Sequence, residues 1–240
     1  MGSITTNNVS VQEVSGLCLA KEKDGLMVVG DAGTLTKFAF SDFSTTSYLT
    51  TTNTGSADLE DVTINPSTGD LYFAVERKQA VYTATYPTYS KSSFTSLFTV
   101  SEAVSGNYGN DGLEGISYYK DDKVFLGAQT NADLWLYTLS GEKLWGKSLK
   151  TTFGSNVISE IAGLCYDPVT DWLWVVDSEL FKLYIMDVNA TKIIATYDIK
   201  LANVENPEGI CVDHSNSCVW IADDSNTRKP KIHKLSFTNL

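Results

Sequence analysis

Seven carboxylates recur at fixed places in this chain. Glu60, Glu114 and Glu208 open the phrases Glu60-Asp61-Val62-Thr63, Glu114-Gly115-Ile116-Ser117 and Glu208-Gly209-Ile210-Cys211. Asp31, Glu76, Asp177 and Asp223 stand 14 or 15 residues after the second residue of such a phrase, and Gln129 takes that place in one repeat. Asp58, Asp111, Glu160 and Glu205 are close by in sequence. Carboxylate oxygens gathered from several segments are hard donors that suit Ca2+ or Mg2+. Crowded carboxyls without a cation hold their protons more tightly, which also fits one of them for general acid or base work. Neither His nor Lys occupies any recurring position. Compensation must therefore come from a cation, loop amides, raised pKa values or basic side chains that fold over. Arg77 and Arg228 are the candidate counter-charges.

The elements that position these acids follow from the phrase itself. It occurs five times, beginning at Ser15, Glu60, Glu114, Ala162 and Glu208, with spacings of 45, 54, 48 and 46 residues between copies. A period in the forties built from short β-type runs is the signature of a propeller blade. In each copy large apolar residues alternate with a small one: Cys18, Thr63, Ser117, Cys165 or Cys211. That alternation predicts a first strand packed on both faces, with little room on one of them. Turn chemistry follows, such as Asn65-Pro66 and Asp167-Pro168. Second strands are predicted at residues 26–30, 71–75, 124–128, 173–176 and 219–222. Third strands are predicted at 35–40, 80–84, 134–139, 182–186 and 231–237, and fourth strands at 46–51, 95–100, 144–149 and 193–199. The fifth repeat lacks a fourth strand, and a strand-like segment at residues 8–14 is free to supply it. The expected fold is all-β: a five-bladed β-propeller of four-stranded antiparallel blades. It forms one domain over residues 1–240, its ring closed by an N-terminal strand joining the C-terminal blade. No helix is predicted.

In such a ring the start of strand one and the end of strand two share one rim of the central channel. Glu60, Glu114 and Glu208 begin innermost strands and are the expected metal ligands. Asp31, Glu76, Gln129, Glu160, Asp177 and Asp223 form the rest of the expected rim, with Glu160 standing in for the acid that Ala162 lacks. The plainer reading of Asp31, Asp177 and Asp223 is that they brace loop backbone. Gly115, Gly163 and Gly209 are expected to allow close approach near the axis. The five tryptophans fall on strands or their edges and are expected to pack between blades.

The net charge of −11 and pI of about 4.6 argue against nucleic acid and anionic membranes as partners. No apolar run is long enough to span a bilayer. The cysteines show no CxxC pattern; a Cys211–Cys218 disulfide is one option for neighbouring strands. His214 falls in a turn on the opposite rim and His233 on a third strand, so a histidine base is not expected at the acidic mouth. No elbow motif supports a Ser-His-Asp triad. No catalytic residue is assigned.

Asn206-Pro207-Glu208-Gly209-Ile210, followed by Val219-Trp220-Ile221-Ala222-Asp223, Asn226 and Arg228, resembles an NHL-type propeller repeat. Asp58-Leu59-Glu60-Asp61-Val62 with Leu71-Tyr72-Phe73-Ala74-Val75-Glu76-Arg77, echoed at Gly112-Leu113-Glu114-Gly115-Ile116, resembles the SdiA-regulated family of bacterial propellers, relatives of the esterase-like phytase group. The resemblance spans essentially the whole chain. It implies an extracytoplasmic domain, periplasmic, cell-surface or secreted, with a signal segment removed; a cytoplasmic location stays open. Asp61 replaces the usual Gly, and Ser15 and Ala162 replace Glu, so any metal site must be asymmetric. Three functions stay open. One is a monomeric binding module for a small molecule or protein, with a divalent cation at the mouth. The others are a metal-dependent hydrolase of the lactonase, phosphotriesterase or phytase-like class, and a protein-interaction scaffold.

Overall fold

The computed structural model describes residues 3–55, 57–106, 111–200, 204–225 and 229–237. Among these residues twenty strands form five four-stranded sheets, and neighbouring strands within each sheet are antiparallel. The chain opens on β1 (Ile4–Asn8) and then builds blade one from β2 (Val14–Leu19), β3 (Gly25–Gly30), β4 (Thr34–Ala39) and β5 (Thr45–Leu49). Blade two holds β6 (Leu59–Ile64), β7 (Leu71–Val75), β8 (Ala80–Ala84) and β9 (Thr95–Thr99). Blade three holds β10 (Leu113–Tyr119), β11 (Lys123–Ala128), β12 (Asp133–Thr138) and β13 (Lys143–Ser148). Blade four holds β14 (Gly163–Asp167), β15 (Trp172–Asp177), β16 (Lys182–Asp187) and β17 (Ile193–Asp198). Blade five holds β18 (Pro207–Asp213), β19 (Cys218–Asp223) and β20 (Lys231–Ser236), with β1 as its outer strand.

Each first strand touches the first strands of both neighbouring blades, so β2, β6, β10, β14 and β18 surround the axis. Five apolar clusters fill the five blade interfaces. Met27, Val29 and Leu35 meet Leu59 and Phe73 between blades one and two; Trp135 lies between two and three, Trp174 between four and five, and Trp220 between five and one. Trp145 and Trp172 pack against such clusters from their edges. The tryptophans are thus packing residues, as their strand positions predict. No helix of the described residues is long and apolar enough to cross a membrane.

The ring closes where expected, but through an earlier segment. Ile4 pairs with Leu235 and Asn8 with Lys231. Residues 9–13 are not a strand. Val9 and Val11 are buried between blades five and one, and Glu13 at φ 51° turns the chain into β2. The true closing strand is mostly polar because an outer strand covers little core. Thr6 Oγ1 lies 3.0 Å from His233 Nδ1, and His233 Nε2 lies 2.7 Å from Asp223 Oδ2. Among the described residues three short α-helices, α1 (Thr51–Thr54), α2 (Ser101–Gly106) and α3 (Leu149–Phe153), link outer strands to the next blade. At four to six residues they are too short to show a helical period. The Cys211–Cys218 disulfide is absent: Cys211 lies opposite Trp220, Cys218 lies opposite Asp213, and all four cysteines are free.

At the axis each first strand presents an inward edge with no strand to pair with it. Side chains take that role. Thr63 Oγ1 accepts from Tyr118 N at 2.8 Å, Ser117 Oγ from Tyr166 N at 2.7 Å, and Cys165 Sγ from Val212 N at 3.4 Å. The small residue of one blade therefore holds the strand of the next. Close approach depends on glycine. A Cβ at Gly163 would lie 2.3 Å from Glu208 O, one at Gly209 2.7 Å from Gly16 Cα, and one at Gly16 2.4 Å from Asp61 Cα.

Ser117→Ala leaves the Tyr166 amide without an acceptor and is expected to cost about 1–3 kcal/mol. Ser117→Cys, which copies the Cys165 contact, should cost less. Urea unfolding of the two variants checks the order, and equal losses would reduce Ser117 to a space-filler.

Candidate functional site

The phrase acid sits at a defect in the ladder. Strand pairing shifts between Val14 and Gly16, Leu59 and Asp61, Leu113 and Gly115, and Pro207 and Ile210. Ser15, Glu60, Glu114 and Glu208 fall in those shifts, where a β-bulge re-aims a side chain. Blade four differs: β14 begins only at Gly163, and Ala162 N donates to Val176 O at 2.9 Å. The ends of the second strands fold back onto the same rim. Asp31 N donates to Glu13 O at 3.1 Å, Glu76 N to Asp58 O at 3.0 Å, and Gln129 N to Gly112 O at 3.0 Å.

Asp31, Asp58 and Glu60 form the tightest acidic group, with one oxygen from each lying within 4.8 Å of the others. Arg77 Nε donates to Asp58 Oδ2 at 2.9 Å, and its side chain is 65% exposed, so it borders the mouth without filling it. Ser15 Oγ donates to Asp31 Oδ1. Glu60 is only 8% exposed, and its carboxylate has no hydrogen-bond donor among the described residues. Burial holds Asp31 up at about 6, against the lowering effect of the Ser15 hydroxyl. Glu60 is pushed well above the ordinary carboxylate range, first by burial and then by Asp31, Glu208, Glu76 and Asp58.

Glu114 and Glu208 lie outside that group but share its field. Burial raises Glu114 strongly, followed by the charges of Glu60, Glu76 and Glu208. Proximity of the two carboxyls raises Glu114 and offsets the rise of Glu76, the pattern of a pair that keeps one proton between them. Gly112 N also donates to Glu76 Oε1 at 3.0 Å. Glu208 is raised by burial first and then by Asp31, Asp224 and Glu160, while Asn206 Nδ2 donates to it at 2.6 Å.

The remaining rim acids turn away into loops. Asp177 is fully buried and accepts from Ser159 N at 2.7 Å and Leu180 N at 2.8 Å. Asp223, also fully buried, accepts from Asn206 N at 2.7 Å and Glu205 N at 3.1 Å. Glu160 Oε1 accepts from Glu179 N at 3.0 Å and from Ser178 Oγ. Gln129 stays half-buried on the rim. His214 lies on the opposite rim, 2.8 Å from Asp167. Arg228 and Asn226 lie outside the described residues.

The sequence assigns no site role to two participants. Asp58 is one: it stands two residues before Glu60, just ahead of β6, and the bulge at Glu60 breaks the alternation that would otherwise relate the two. Asp61 is the other. It occupies a glycine position, is fully buried, and accepts from Val62 N at 2.8 Å and Ile116 N at 3.0 Å. Burial raises it despite those amides and that of Leu164. It ties blade two to blade three.

Solved structures carry the same architecture. A nidogen/laminin complex aligns with a TM-score of 0.59 at 10% identity, over 88% of this chain and 72% of that one. Virginiamycin B lyase from Staphylococcus aureus aligns with a TM-score of 0.53 at 18% identity, over 94% of this chain and 66% of that one. A catalytically inactive variant of that lyase, solved with quinupristin, gives 0.54 at 18% identity over the same shares. These likenesses establish the fold. No curated protein matches the sequence. The SdiA-regulated family profile matches residues 6–227, nearly the whole ring. With the five bladed repeats and the bulged phrase acids, that match makes the chain a member of the SdiA-regulated family.

Proposed function

We propose that the acidic mouth binds a divalent cation, Ca2+ or Mg2+, through Asp31, Asp58 and Glu60. In this reading the protein is an extracytoplasmic binding module that captures a small molecule or protein partner there. The observation that carries the reading is the meeting of three carboxylates within 4.8 Å, with one of them, Glu60, buried without a hydrogen-bond donor among the described residues. Three hard oxygens from two blades fit either ion, with water or a ligand completing the shell. Glu114 and Glu208 add negative potential that draws a cation into the mouth.

The charge state gives this reading a pH signature. Asp31, Glu60, Glu114 and Glu208 are all raised in the folded protein. The fold then binds protons more tightly than the unfolded chain. Their contribution to stability is complete below the ordinary carboxylate range and is lost as pH rises through the folded values, near 6 for Asp31. In EDTA the melting temperature is expected to fall between about pH 4.5 and pH 7. A cation at about 100 times its Kd should raise it by about 5–10 °C near pH 7 and by little near pH 4.5. Glu60→Gln should remove most of that rise. A melting temperature near pH 7 that ignores millimolar Ca2+ and Mg2+ would rule the site out.

A second reading, a metal-dependent hydrolase, is favoured by the Glu76–Glu114 carboxyl contact. A carboxyl that keeps a proton beside a cation site is suited to general acid–base work. Lactone, phosphotriester and phytate assays test it. If one substrate turns over, Glu114→Gln is expected to lower the rate by about 10²–10⁴-fold. Unchanged turnover in that variant would take the pair out of any mechanism.

A further inference from the structure

A second concavity lies outboard of Asp31, between segment 10–12 and the outer half of blade one, lined by β4, β5 and the start of α1. Its volume is about 290 Å3, the lower end of the range for small-ligand sites. The wall is unusual in composition. Seven hydroxyl side chains line it, among them Ser10, Thr34, Thr36 and Ser47, together with the amide of Gln12, and no charged side chain does. Val11 and Leu49, both buried, give it an aliphatic floor.

The walls are held in place from three sides. Segment 9–13 is fixed by Val9 N donating to Pro230 O at 3.0 Å and by Asp31 N donating to Glu13 O at 3.1 Å. It also lies tight on blade one, since a Cβ at Gly30 would sit 2.9 Å from Val11 Cγ1. Thr54 Oγ1 donates to Gly33 O at 2.9 Å and ties α1 to the β3–β4 turn. The concavity is therefore preformed, and a ligand entering it need not organise a loop first.

One wall residue is left unsatisfied. Thr34 Oγ1 is buried and has no hydrogen-bond partner. An orphaned buried hydroxyl is destabilising and rare in native proteins. A ligand group that reached Thr34 from the cavity would satisfy it.

We infer that this concavity is a binding site for a neutral, polyhydroxylated ring, a single saccharide unit. Hydroxyl side chains both donate and accept, and they match a ligand whose groups do the same. The aliphatic floor takes the C–H face of such a ring. A charged ligand finds no counter-charge and loses its hydration without return. The site is separate from the acidic mouth and does not depend on the cation proposed there.

Amide-resolved NMR titration of the whole protein with glucose, galactose and N-acetylglucosamine, in EDTA, tests the inference. At least one sugar is expected to bind with a Kd in the millimolar range and to shift residues 10–12, 32–36 and 45–51. Thr34→Val, which keeps shape and suits a strand, should weaken binding about tenfold, the loss of one hydrogen bond of about 1.4 kcal/mol. Ser47→Ala, on the exposed outer strand, should also weaken it and serves if Thr34→Val melts early. Glucuronate should bind at least about tenfold more weakly than glucose. The inference is overturned if none of the three sugars shifts those residues, or if both variants bind as the parent does. Equal binding of glucuronate and glucose also overturns it. Binding that appears only with added Ca2+ assigns the sugar to the acidic mouth and overturns it too.

Discussion

Five strands meet at one axis, and each brings an edge of backbone amides with no strand to receive them. The rest of the molecule depends on how that edge is satisfied. A blade is complete on its outer side, where water takes up unpaired groups. At the centre there is little space. Thr63, Ser117 and Cys165 answer by accepting from the next strand, at 2.8, 2.7 and 3.4 Å. Asp61 answers with a carboxylate that reaches Ile116. The glycines of the phrase answer by letting backbones touch. Each solution fixes the angle of one blade against the next, and the apolar clusters between blades then fill what that angle leaves.

The acidic mouth is a by-product of the same packing. Strands that crowd at their start cannot keep regular pairing, and the bulges at Ser15, Glu60, Glu114 and Glu208 relieve the crowding. A bulge frees one side chain from the alternation of the strand and aims it along the channel. Carboxylates at three of those positions, with the second-strand ends folded beside them, concentrate charge above a floor that Asp61 closes. Broken symmetry decides where the charge is densest. Blade four offers Ala162 and turns Asp177 and Glu160 into loops, whereas blades one and two face each other with Asp31, Asp58 and Glu60.

The architecture was legible because its signals are local. A period in the forties and a large–small alternation are written in consecutive residues. The closing strand was not legible, since Ile4–Asn8 carries one apolar residue and the alternating valines that follow are core wedges between blades. Partners across blades were hidden for a related reason. Cys18, Thr63, Ser117, Cys165 and Cys211 read as small, but size does not tell that Thr63 and Ser117 accept from strands 55 and 49 residues away. The recurring acids were visible, and the direction each one turns was not. Asp177 and Asp223 meet loop amides that no spacing rule announces, and Asp58 joins the mouth because Glu76 N binds its carbonyl and Arg77 its side chain.

The seam in blade five has a mechanical meaning. From the outer strand, Thr6 contacts His233, His233 contacts Asp223, Asp223 holds the amide of Asn206, and the side chain of Asn206 holds Glu208. This is a radial spoke of polar contacts running from the circumference to the hub, within a blade whose two faces pack on apolar clusters. It joins the N-terminal strand to an acid in the channel. The weld that shuts the ring and the hub that gathers its charge are two ends of one strut.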